Sequence, residues 1–189
     1  DSMAQGRTPA ASAEALRDTL YHDGDESGLS IFASFLFSHN SKVAMFAFAL
    51  GFAFCIPTAF LLIYNGFVLG SFVAIFSDKD LGFEVGGWLI IHGATEIFAI
   101  ILAGAAGLHI GKAVAFPGEL TRTESASKAG GTASLLMAGV IIMLFFAGLL
   151  EGFGRQLITN DLIRYGIGLG TLTIWLAYFY VPRRAQAAL

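Results

Sequence analysis

Three side chains in an otherwise apolar chain could do chemistry together: His92, Glu96 one helical turn later, and Glu151. A histidine and a carboxylate four positions apart share one face of a helix. Such a pair can relay a proton, hold part of a divalent metal's coordination shell, or hydrogen-bond across helices as structural glue. A metal would need further donors, for which Glu151, Asn65 and His109 are the candidates; the metal option therefore stands weakly on His92, Glu96 and Glu151. His109 comes 17 positions after His92, about 260° further round a helix, and is set aside. The spacing His-x-x-x-Glu lacks the second histidine of a zincin, so intramembrane proteolysis is not expected. The chain is read as no enzyme and without a cofactor.

The stretch from Trp88 to Gly111 has to position this pair. Between Glu84 and Lys112 lie 27 residues, about 40 Å of helix, which is enough to cross a bilayer core. On that helix His92 and Glu96 share a face with Ala99, Ala103, Ala106 and Gly107, and Ile90, Ile97, Ile101 and Leu108 lie opposite. Small residues let a neighbouring backbone approach, which is how helices pack in lipid, where apolar burial gives no drive between helices. The polar pair should therefore point into protein or a wet cavity, with Ala99, Ala103 and Gly107 as the packing ridge. A carboxylate at bilayer depth costs several kcal/mol unless it is protonated, paired or hydrated, which makes Asn65, His92, Glu96 and Glu151 the candidate intramembrane polar site.

Composition agrees with that setting. Of 189 residues 56 % are hydrophobic and only 13 % charged, with 18 Phe and 23 Gly, more than a water-soluble core of this size needs. The lipid bilayer is thus the first partner. The net charge of −3 comes with no basic stripe or stacking platform, so nucleic acid is not a partner. One cysteine, Cys55 in an apolar run, allows no internal disulfide and no cysteine metal site. Asp1 to Ser12 lack the pattern of a signal peptide and read as the interior of a longer protein, with an N-terminal region expected before them.

Along the chain, Ser12 to His22 reads as a short polar helix with a capping serine, followed by an acidic, solvated turn at 23–28. Leu29 to Phe37 reads as an amphipathic helix on the membrane surface, with His39 and Lys42 as interfacial anchors. Residues 43–77 carry no charge and are too long for one perpendicular helix, so a break is expected, either at Pro57 or at Tyr64-Asn65-Gly66. The latter is preferred. Val43 to Ile63 is then the first span and Gly66 to Phe76 a re-entrant half-membrane segment that brings Asn65 to the His92 face. Further spans are the central helix, Gly130 to Leu150 ending in Glu151, and Tyr165 to Val181 with an aromatic belt. With re-entry, Lys42, Lys112, Arg122, Lys128, Arg183 and Arg184 lie on one side against Lys79, Arg155 and Arg164 on the other, which makes the first side cytoplasmic. The expected fold is an all-α membrane protein of about four full transmembrane helices plus a re-entrant one. It divides into an N-terminal polar and interfacial region, 1–42, and a transmembrane domain, 43–189.

The run Phe35-Leu-Phe-Ser-His-Asn-Ser-Lys-Val-Ala, then Tyr64-Asn-Gly, then His92-Gly-Ala-Thr-Glu-Ile-Phe-Ala-Ile-Ile-Leu-Ala-Gly-Ala-Ala-Gly, then Glu151-Gly-Phe, resembles the stage II sporulation protein M family. The resemblance runs from about Ile31 to the C-terminus, and it includes Glu151, which favours a cavity-facing place for that carboxylate. It implies a multi-pass protein of the bacterial cytoplasmic membrane. In endospore formers the named member works with peptidoglycan hydrolases during engulfment, and similar proteins occur in bacteria that do not sporulate. The resemblance implies a non-enzymatic scaffold or organiser of a cell-envelope complex with envelope or peptidoglycan-remodelling partners, and the chain is read as a homo-oligomer with a dimer favoured. The competing reading is a small channel or transporter with a midplane site around His92 and Glu96.

Overall fold

The computed structural model describes residues 7–21, 26–154 and 157–181, and of residues 26–36 the backbone only. No strand occurs among them. The helices are α1 (Ala13–Tyr21), α2 (Glu26–Ala49), α3 (Ile56–Ser77), α4 (Gly82–Ala115), α5 (Arg122–Leu149) and α6 (Asp161–Tyr180). Among the described residues α3, α4, α5 with its C-terminal extension, and α6 are the 4 helices long and apolar enough to cross a membrane.

The long uncharged run is broken at residues 50–55. Pro57 has no amide hydrogen and its ring would collide with the carbonyl four residues back, so one helix cannot run through it. The last turn of α2 tightens into a 3₁₀ turn over Leu50–Phe52, Phe54 and Cys55 take φ of 58° and 72°, and α3 restarts with Pro57 in its first turn. Thr58, fully buried, donates from Oγ1 to the carbonyl of Ala47 at 2.8 Å and closes the corner. A break at Tyr64-Asn65-Gly66 is not present: these residues lie inside the continuous helix Ile56–Ser77. The turn propensity of Asn-Gly loses to a helix whose backbone groups have no partner in hydrocarbon except each other. The span expected over Val43 to Ile63 is therefore divided between two helices, and the half-membrane segment becomes the second half of a 22-residue helix. The distribution of basic residues that rested on a turn back at 66–76 loses its premise.

Helix α2 also passes through Ser38 to Lys42 without a break and so spans the division expected at residue 42. The amphipathic face expected over 29–37 falls almost wholly on side chains outside the described ones, as does the first part of the acidic turn at 23–28. The short helix after Ser12 is present, and Ser12 Oγ accepts from the Ala15 amide at 3.2 Å. Helix α5 begins two turns before Gly130, fixed by a capping box between Thr121 and Glu124.

Helix α4 is the axis. Its 34 residues are about 51 Å long, and α2, α3, α5 and α6 all pack on it. The approach to α2 is backbone on backbone: a Cβ on Gly51 would lie 2.0 Å from the Gly107 carbonyl oxygen, and one on Gly111 would lie 2.2 Å from the Gly51 oxygen. On the α6 side, a Cβ on Gly168 would lie 2.4 Å from the Ile90 oxygen. Ala99 and Ala103 are fully buried with Ala44, Val140, Met143 and Leu144, whereas Ile97 and Ile101 are 41 % and 52 % exposed. Helix α3 turns Ile56, Phe60, Ile63 and Phe67 outward, each more than half exposed. An apolar surface of this extent suits acyl chains and not water.

Candidate functional site

Glu96 lies 14 residues beyond Gly82 on α4, about 21 Å along the rod. Its burial follows from the ridge that carries it: Ala99, Ala103 and Gly107 are buried on the same helix, and α2 fits closely against them. That fit brings the Asn40 side chain of α2 to the Glu96 carboxyl. Asn40, Ala44 and Ala47 recur at i, i+4 and i+7 of α2, so the amide and the small residues lie on one helix face.

His92, one turn back, is 4 % exposed, and its ring meets the edge of Trp88 with centroids 5.9 Å apart and planes at 85°. Thr95, 1 % exposed, accepts from Trp175 Nε1 of α6 at 3.1 Å. Glu151, 1 % exposed, lies in a single π-helical turn, Leu150–Gly154, that ends α5. Such turns insert one residue and re-aim side chains, which is why they occur at functional positions. The same turn rests on α4 beside His92: a Cβ on Gly154 would lie 3.5 Å from Ile91 Cδ1. Elements α2, α4, α5 and α6 thus each contribute a polar group to the interior of the bundle.

Asn65 does not supply the amide at Glu96. It is half-buried on α3, where its Nδ2 donates to the Leu61 carbonyl of its own helix at 2.8 Å. His109 is exposed near the far end of α4, and His39 and Lys42 are exposed on α2. Among the described residues no three His, Cys, Asp or Glu side chains come together as a metal ion requires, so His92, Glu96 and Glu151 do not converge as a ligand set. The sequence reading puts His39 and Lys42 at the membrane surface and does not single out Asn40 between them; its register with Ala44 and Ala47 is the signal for an inward place.

A second polar cluster closes the end of the bundle where α4 and α6 begin. Arg164, 1 % exposed, donates from Nε to the Ile158 carbonyl at 2.7 Å, from Nη1 to Asp161 at 3.2 Å and from Nη2 to the Leu20 carbonyl at 3.4 Å. The Tyr21 hydroxyl donates to Asp161. Burial, and then the Asp161 carboxylate, push the Tyr21 phenol above its usual range. By local polarity Arg164 belongs to a connecting loop, but a helix begins at Asp161 under the Asn160 cap and turns it inward.

A bundle of long apolar helices packed by glycine and alanine around buried polar groups defines a multi-pass α-helical membrane protein. The chain belongs to the stage II sporulation protein M family, whose model matches residues 3–154. The matched stretch takes in α1 and stops at the π turn, so it begins earlier and ends earlier than the resemblance read from the motifs. Comparison with curated proteins and with solved structures returns no match.

Proposed function

We propose that the protein is a non-enzymatic scaffold of the bacterial cytoplasmic membrane, a homo-oligomer that organises a cell-envelope complex with peptidoglycan-remodelling partners. The observation that carries this reading is the closure of the polar centre. Glu96, His92 and Glu151 are 7 %, 4 % and 1 % exposed, and Asn40 of a second helix faces Glu96. A solute path would need these groups to line water. Buried and shared between helices, they suit groups that fix the register of α2, α4 and α5 and hold one shape for partners to recognise. The family carries the cell-envelope part of the reading, since its name belongs to a sporulation protein.

The depth of Glu96 along α4 is the one feature that favours a channel or transporter, because glue needs no ionisable group there. Liposome flux separates the two readings. Purified protein reconstituted with pH- and potential-sensitive dyes should give no proton or monovalent-ion flux above protein-free vesicles, and Glu96→Gln should be indistinguishable from the parent. Flux abolished by Glu96→Gln would replace the scaffold with a transporter.

A further inference from the structure

Helix α1 lies across the end of the bundle at which α4 and α6 begin, and two kinds of contact hold it. Leu16 and Leu20, 0 % and 2 % exposed, join Phe76, Leu81, Val85 and Trp88 in one apolar cluster. Around them the contacts are polar. Arg17 reaches Glu84 at 2.9 Å, the Tyr21 hydroxyl donates to Asp161, and Arg164 donates to the Leu20 carbonyl with its guanidinium 5.2 Å from the Tyr21 ring centroid. A helix of nine residues is not stable alone in water. Docking makes α1 helical, and the polar groups that hold it are ones that water can satisfy on release.

Trp88 lies between this helix and the polar centre. It shares one buried apolar cluster with Leu16 and Leu20, Arg7 stands 5.6 Å from its ring centroid, and its edge meets His92, with Glu96 one turn deeper. The layers from the outside inward are therefore α1, Trp88, His92 and Glu96.

We propose that α1 is a lid: it exchanges between docked and released states, and its release opens the His92–Glu96 centre to water from this end of the bundle. The inference rests on the closure of that centre and not on the scaffold reading.

The test is histidine modification by diethyl pyrocarbonate, read by mass spectrometry on the full chain in lipid nanodiscs, with exposed His109 as the internal standard. In the parent, His92 should react at least tenfold more slowly than His109. In Leu16→Ser/Leu20→Ser, and to a smaller degree in Arg164→Gln, the rate at His92 should rise about tenfold at unchanged His109. A short bismaleimide joining Arg17→Cys to Glu84→Cys in a Cys55→Ala background should instead slow His92 several-fold below the parent. Circular dichroism restricts the comparison to variants that lose no more helix than α1 itself. His92 as reactive as His109 in the parent would overturn the closure on which the lid depends. A protected His92 that neither loosening nor locking α1 alters would overturn the lid and leave the closure standing.

Discussion

The side chain of Asn40 on α2 faces the carboxyl of Glu96 on α4. The contact ties the helix that precedes the Pro57 corner to the axis of the bundle, at the level where α5 also meets α2: a Cβ on Gly148 would lie 2.8 Å from a ring carbon of Phe37. It therefore acts on register and not merely on local stability.

A double-mutant cycle on Asn40→Ala and Glu96→Ala, read by unfolding in mixed micelles, is expected to give a coupling of about 0.5–1.5 kcal/mol, the range for interhelical hydrogen bonds in membranes. Glu96→Gln keeps an acceptor for the Asn40 amide and should lose less than Glu96→Ala. Additive single changes would show that the pair is not coupled.

The glycines divide into two sets with opposite expectations. Gly51→Ala and Gly107→Ala put a Cβ within 2.0 Å and 2.6 Å of backbone oxygens on the facing helix, and should cost about 3 kcal/mol or more or prevent folding. Gly139→Ala meets nothing within 4 Å and should be neutral or stabilising by up to about 1 kcal/mol through helix propensity. Thermal unfolding of the three variants in one detergent checks both halves.

Tyr21 gives the docking of α1 an alkaline limit. Its phenol is raised in the folded state above the ordinary value of 10.0, so its contribution is fully present below that pH and is lost as pH rises through the folded value. Fluorescence of Trp88 in a Trp175→Phe background should report undocking of α1 above pH 10, and Tyr21→Phe should flatten that transition. The same midpoint in both would contradict the link.

Arg164→Ala leaves Asp161 and the Leu20 and Ile158 carbonyls without their shared donor. A loss of about 3–5 kcal/mol is expected. Removing both charges together, Arg164→Met with Asp161→Asn, should cost less than the single change, because no lone charge is left buried. Arg17→Ala breaks only an exposed pair, with side chains 57 % and 19 % exposed, and should move stability by no more than about 1 kcal/mol.

Much of this architecture is legible from the chain alone, since 3.6-residue periodicity and the lipid solvent act on the same residues. The face of α4 follows from where Ala99, Ala103, Gly107, Ile97 and Ile101 fall on a helix, and the multi-pass class follows from composition. The corner at 50–55 is harder to read. Pro57 and Tyr64-Asn65-Gly66 both carry turn signals, and what decides between them is the close approach of Gly51 to Gly107, a contact 56 positions apart. For the same reason Asn65 and Asn40 exchange places between the expected site and the observed one: local polarity cannot tell an amide at the headgroups from one facing a carboxyl on a distant helix. Arg164 is hidden similarly, because its burial depends on α1, 144 positions away at Leu20.

The polar centre exists only if the α4 face bearing His92 and Glu96 looks into protein and the isoleucine face into lipid. Nitroxide labels placed singly at His92, Glu96, Ile97 and Ile101 in a Cys55→Ala background, in lipid nanodiscs, measure this through collision rates with oxygen and with a water-soluble nickel chelate. High oxygen and low nickel accessibility is predicted at 97 and 101, with both low at 92 and 96. High oxygen accessibility at 92 and 96 together with protection at 97 and 101 would contradict it.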